Sequence, residues 1–273
     1  IEINKIIKSH KTQSTVFYSF GFALTLSLFL NGCRNYVYEV SDILYGYNRF
    51  KLIRPILKII DRYLIKKSIL TVFTSEGFIK YLFRNNSPDN IIIQPNRLNV
   101  YFRNVERSNY HSNVESTNLR FAYVGAFRYP NTVFRFAKII GEFFPQNEFH
   151  FYGDSKLTEQ VIMLSKQYDN VKYFGSFKNP DDLESIYKIF DVVVACYDIQ
   201  SLNERIAEPN KLYEALFFNK PIIVSKSTFL SNKVENLNCG YAIDASNDQS
   251  IISFIDSLNT NHLNSIIDNI STI

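Results

Sequence analysis

The chain has 273 residues, 46% hydrophobic, 15% aromatic and 21% charged, with 24 Phe, 18 Tyr and no Trp. That balance excludes a disordered tail, a collagen-like repeat and a disulfide mini-protein, and the length suits two domains of about 100–200 residues each. The net charge of +4 hides an asymmetry: residues 1–111 carry 16 Lys/Arg against 7 Asp/Glu, or +9, and residues 112–273 carry 14 against 19, or −5, which argues for two separate domains. In the first of these, a helix is expected over about 1–10, a strand at Thr15–Ser19, a helix at 21–31, a strand at Tyr36–Glu39 and a long helix at 49–67. A strand at Leu70–Thr74, a helix at Glu76–Phe83 and a strand at Ile91–Gln94 complete it. Short Val-, Ile- and aromatic-rich runs separated by helix-length segments imply βαβ units and a parallel sheet.

Two segments invite a membrane reading. Val16–Leu30 is apolar, but a span needs about twenty such residues, so a buried strand running into a buried helix is expected, and no cleavage-like pattern follows that would suit a signal peptide. The long helix interleaves Arg49, Lys51, Arg54, Lys58, Arg62, Lys66 and Lys67 with Ile and Leu. Such a helix either lies on an anionic membrane surface or packs on a core with its outer face solvated by Lys and Arg.

Residues 99–118 are polar, rich in Asn and Ser and without period, and read as an interdomain linker. Beyond them strands are expected at Leu119–Val124, Glu148–Tyr152, Val171–Phe174, Val192–Ala195, Ile222–Val224 and Tyr241–Ile243. Helices fill about 131–144, 156–168, 180–189, 210–218, 228–237 and from 247 onward. This is a doubly wound Rossmann-type sheet, whose ligands bind at the carboxyl ends of the strands.

The loops at those ends hold the candidate chemistry. Gly125 ends the strand Leu119–Val124, where a glycine either lets a ligand approach the backbone or merely shapes the turn, and Arg128 in the same loop suits phosphate oxygens. GxGxxG spacing is absent, which weakens a dinucleotide reading. Pro209 and Asn210 suit a helix start. Lys211 would stand in its first turn against the helix dipole, which makes sense if an anion binds there. Glu214 follows one turn on, where a carboxylate either accepts the two hydroxyls of a ribose or is simply solvated. Asp181-Asp182 reads as a helix start rather than a metal site, and no metal set is expected. Cys33, Cys196 and Cys239 lack ligand spacing and read as reduced thiols of a cytosolic protein; His10, His111, His150 and His262 form no set either.

EPNKLYEALFFNKPIIVS resembles the PxK-x-x-E and following Lys-Pro segment of family 4 glycosyltransferases, retaining enzymes of two-Rossmann GT-B architecture. The resemblance extends to LRFAYVGAFRYPN, to VKYFGSF with DDLESIYKIFDVVVACYD, and to YVYEVSDILYG, LTVFTSEGF and IIIQPN, over about residues 14–258. It implies a sugar-nucleotide donor, UDP- or GDP-linked, with no further cofactor and no catalytic metal. Glu214 would hold the ribose, Arg128 and Lys211 the diphosphate with the amides around Asn210 and Leu212, and Gly175, Ser176 and Phe177 would border the base. The family's paired glutamate would fall on Ile206, so Glu208 is taken as its substitute, and Asn219 stands where Gly is usual. Asp42 or Glu39, after the strand Tyr36–Glu39, either serves the reacting centre or caps the next turn.

The resemblance further implies a glycan or lipid-linked acceptor of a surface polysaccharide, no nucleic-acid partner, and a cytoplasmic location with peripheral contact to the inner membrane face. The N-terminal domain, 1–111, is expected to be an incomplete Rossmann-like acceptor domain, since no glycine-rich first turn precedes Thr15 and the chain opens on Ile1; residues 112–273 would bind the donor. A sugar-nucleotide epimerase of similar fold, or a non-catalytic sugar-nucleotide or glycan-binding scaffold, are the competing readings.

Overall fold

Strands and crossover helices alternate along the chain because each buried run of β-branched and aromatic residues needs helices over both faces of its sheet. The computed structural model describes residues 2–10, 12, 14–98, 101–102, 114 and 118–273. The chain forms two units, Ile1–Asn96 with Gln200–Glu208, and Arg97–Ile199 with Pro209–Ile273.

In the first unit, α1 (Glu2–His10) and β1 (Phe17–Phe20) lead into α2 (Gly21–Leu30), β2 (Tyr36–Val40), α3 (Arg54–Lys67), β3 (Leu70–Phe73), α4 (Glu76–Phe83) and β4 (Ile91–Ile93). The strands are parallel and lie in sequence order, with Phe17 opposite Tyr36, Val37 opposite Leu70 and Thr71 opposite Ile91. Val16–Leu30 is divided between β1 and α2, and among the described residues no helix is long and apolar enough to cross a membrane. The long helix starts later than its composition suggests: residues 44–46 and 48–50 form two 3-10 turns before Pro55 enters the first turn of α3. Tyr36, Tyr38, Val40, Leu64, Ile65, Phe73 and Phe78 make the core.

The second unit runs β5 (Arg120–Val124), α5 (Arg135–Phe143), β6 (Glu148–Tyr152), α6 (Thr158–Gln167), β7 (Val171–Tyr173), α7 (Leu183–Tyr187) and β8 (Val192–Ala195). After α8 (Leu202–Ile206), which belongs to the first unit, come α9 (Asn210–Phe217), β9 (Ile222–Ser225), α10 (Phe229–Asn236), β10 (Gly240–Ile243), α11 (Asp248–Ser257) and α12 (Thr260–Thr272). Its six parallel strands are ordered β10-β9-β8-β5-β6-β7. The winding therefore reverses between β5 and β8, which opens a crevice at their carboxyl ends. Alternate residues supply opposite faces: Phe121, Phe149, Val192 and Ile223 pack on one side, and Ala122, Val124, Val193 and Val224 on the other.

Most of the stretch read as a linker, 99–118, lies outside the described residues. Its described positions include Phe102, buried against Phe217 and Phe218, and Val114, whose N–H and C=O pair with the side chain of Asn264. The second unit accordingly starts at Arg97 rather than 112, and the first regains 200–208.

Candidate functional site

The crevice of the second unit is a cleft of about 230 Å³ whose lining includes Gly125, Arg128, Phe177, Asn210, Lys211 and Glu214. The end of β5 lines it, and the ends of β6 and β7 are joined to that end by backbone hydrogen bonds. Gly125 has φ +139°, which disfavours any side chain, and its N–H donates to Tyr152 O at 2.8 Å. Gly153, at φ +136°, comes closer still: a Cβ there would stand 2.1 Å from the Gly125 carbonyl oxygen, and its N–H donates to Gly175 O at 2.8 Å. Thus Gly175 works through its carbonyl, and Ser176 beside it is exposed, while Phe177 reaches the cleft.

α9 enters from the other side of the switch point. Pro209 caps it without a side-chain bond, so the first turn presents backbone amides near Lys211. Leu212 does not extend this set: its N–H donates to Pro209 O at 3.3 Å and its side chain is core. Glu214 is not solvated. It is 2% exposed and accepts from the Tyr187 hydroxyl at 2.6 Å and from the Lys211 ammonium. Among the described residues both donors meet Oε2, which leaves Oε1 to accept from a ligand hydroxyl. Burial, and then the Glu214 charge, hold the Tyr187 phenol well above its ordinary pKa, so it stays a donor. With two cations and one paired carboxylate, the cleft is suited to an anion that also carries hydroxyl groups.

The other expected residues lie in the first unit. Glu208 is 3% exposed, with its carbonyl accepting from the Asn96 side chain at 3.1 Å. Glu39, next to last in β2, is half-buried and accepts from Tyr18 OH at 2.6 Å and Ser41 Oγ at 2.8 Å; the bond to Glu39 leads the causes that push the Tyr18 phenol up to about 12. Asp42 is exposed, and the turn Leu44–Gly46 after it is capped by Ile43 without a side-chain bond.

Several lining residues are not singled out by the sequence: Tyr129 and Tyr197, whose rings stack at 4.5 Å, and Asn179. Tyr187 had a usable signal. It shares the buried stripe of α7 with Leu183 and Ile186, and a tyrosine on such a stripe needs a partner for its hydroxyl. Asp182 is the N-cap position of α7, as read, although its carboxylate accepts from the Lys178 N–H rather than from the helix.

Residues 106–269, more than half of the chain, match the family model described as "Glycosyl transferases group 1". Among curated proteins none matches. Solved structures share the fold at low identity. A sucrose-phosphate synthase from Thermosynechococcus elongatus superposes with a TM-score of 0.71 at 14% identity, over 99% of this chain and 72% of that one. Anabaena HepE in complex with UDP-glucose gives 0.70 at 15%, over 99% and 76%. WaaG, a glycosyltransferase involved in lipopolysaccharide biosynthesis, gives 0.65 at 14%, over 99% and 75%.

Proposed function

Because the chain belongs to the group 1 glycosyl transferases, we propose that its second unit holds a nucleotide-sugar donor whose sugar is transferred with retention to a glycan acceptor. The observation that carries this reading is the buried Glu214, held by Tyr187 and Lys211 in the lining of a cleft that also presents Arg128 and the first turn of α9. Oε1 of Glu214 accepts a ribose hydroxyl. Arg128, Lys211 and the helix amides face the diphosphate, whose negative charge grows as the glycosidic bond to the sugar breaks. Positive groups already in place stabilise that charge without reorganising, and no metal is invoked. Phe177 offers an apolar wall for the base. The sugar is of hexose type, and UDP-glucose, the ligand of the Anabaena structure, is the first donor to test. Glu39 and Asp42 of the first unit are assigned to the acceptor, a lipid-linked saccharide at the cytoplasmic face of a membrane.

Calorimetry with UDP- and GDP-sugars tests the donor assignment. Glu214→Ala should weaken the preferred nucleotide sugar by at least about tenfold, or about 1.4 kcal/mol. Unchanged affinity in a folded variant rejects the site. Release of nucleoside diphosphate only when acceptor is present marks transfer; isomerisation of the sugar without acceptor marks an epimerase instead.

A further inference from the structure

The outer face of α3 is apolar where a solvated helix would be charged. Ile56, Ile59 and Tyr63 are 60%, 67% and 49% exposed and recur at helical spacing, and Leu52 just before the helix is 94% exposed. Single exposed apolar residues need no explanation, but these form one line. The line continues onto α2, where Phe29 meets Tyr63 edge-on at 5.6 Å and Leu30 is 75% exposed. Cations rim it: the Arg34 guanidinium lies 3.9 Å over Phe29, the Arg49 guanidinium 4.8 Å over Phe50, and the Lys67 ammonium 5.8 Å from the Tyr63 ring, with Lys51 and Lys66 exposed beside them.

No acid offsets them on this helix. The single carboxylate between 49 and 67 is Asp61, 1% exposed and turned inward to Tyr38 and Tyr45. Arg34, Arg54 and Lys58 are engaged with backbone carbonyls: Arg34 with those of Phe29 and Cys33, Arg54 with those of Tyr45, Gly46 and Tyr47, and Lys58 with that of Tyr81.

We propose that this face docks the first unit on an anionic lipid bilayer, with Leu52, Ile56, Ile59 and Tyr63 entering the boundary between headgroups and acyl chains. Arg49, Lys51, Lys66 and Lys67 meet the lipid phosphates. The pattern fits a bilayer better than a protein, because a bilayer sets phosphates directly above hydrocarbon, matching an apolar line rimmed by cations. An acidic protein surface would satisfy the cations and leave the isoleucines in water. The proposal stands independently of the donor assignment.

The test is co-sedimentation of the full chain with vesicles of phosphatidylcholine alone or with about 30% phosphatidylglycerol as the anionic component. Binding to the anionic vesicles should be at least about tenfold stronger and should fall as salt rises from about 0.1 to about 0.5 M. The double variant Ile56→Ser/Ile59→Ser should bind anionic vesicles about tenfold or more weakly, from lost apolar insertion. Lys66→Gln/Lys67→Gln should lose most of the lipid preference. Both pairs are at the surface, and unchanged melting shows that they fold. A parent chain that does not sediment with anionic vesicles, or serine variants that bind as the parent does, would overturn the proposal. So would concentration-dependent dimerisation lost in the serine variant without vesicle binding, which assigns the face to a second copy. Nucleotide affinity measured on the same samples stays at the parent value, which keeps failure here distinct from failure of the donor assignment.

Discussion

Glu214 is a carboxylate taken out of water, and such a group is tolerable only when its charge is paired and hydrogen-bonded. Lys211 supplies the charge and Tyr187 a neutral donor that fixes the plane of the carboxylate. Tyr187→Phe removes that donor and keeps the ring, which stacks on Phe218 at 4.5 Å. If Glu214 reads the ribose, the phenylalanine variant should bind UDP about tenfold more weakly, about 1.4 kcal/mol, while its affinity for inorganic pyrophosphate stays within about twofold. Calorimetry with both ligands decides: equal losses for both would mean a general collapse of the cleft. Gly125, Arg128, Lys211 and Glu214 were legible in the sequence because strand-end glycines and helix-start residues act through local spacing. Gly153 and Tyr197 were not, because each meets its partner only through the order of strands in the sheet, and Tyr187 carried only the signal of its buried stripe, which names no partner. Leu212 shows the opposite limit: adjacency to Lys211 suggested a role for an amide that the helix itself uses.

At the scale of elements, α3 has two faces that composition could not separate. The periodicity of Leu and Ile promised one apolar stripe, but the helix carries two: Leu64 and Ile65 turned inward and Ile56 and Ile59 outward. The basic residues lead to the expectation of a core-packing helix or a membrane-surface helix; the core-packing face is present, and the opposite face leaves Ile56 and Ile59 exposed. Its inner face also buries Asp61, which accepts from Tyr38 OH at 2.9 Å and Tyr45 OH at 2.7 Å. Burial outweighs those bonds and raises the Asp61 pKa from 3.8 to about 6. In that window the folded state binds more protons than the unfolded one, so stability falls as pH rises through it. The contribution is fully present below about pH 4 and gone above about pH 6, at about 1.4 kcal/mol per unit of difference between the two states. In urea unfolding at pH 4.5–7.5, the parent chain should lose this increment relative to Asp61→Asn, whose side chain does not titrate. Parallel stability curves would show that Asp61 is ionised throughout.

For the molecule as a whole, the charge changes sign from +9 to −5 across 111/112, whereas the two compact units divide at Asn96/Arg97 and exchange 200–208, so a single cut does not describe them. Residues 200–208 depart from the second half of the sequence and complete the first unit, and nothing in their composition announces it. The reason is a long-range bond: Asn203, 3% exposed, accepts the Ile43 N–H at 2.8 Å and donates to the Ile43 carbonyl at 3.1 Å, as a neighbouring strand would. Ser75 adds a bond to Ile206 O at 2.8 Å, and Gly77 lies so close that a Cβ there would stand 2.1 Å from the same oxygen. An asparagine that serves both backbone groups of a distant residue is visible only once the fold has joined them. Asn203→Ala leaves the Ile43 N–H and C=O buried without these partners and should cost about 2–4 kcal/mol. Because the segment 200–208 then opens more readily than the rest of the chain, trypsin should cut at Arg205 at least about tenfold faster under native conditions. Mass spectrometry of the first fragments reads this directly. If cleavage instead begins throughout the chain at once, Asn203 supports global stability and not the attachment of this segment.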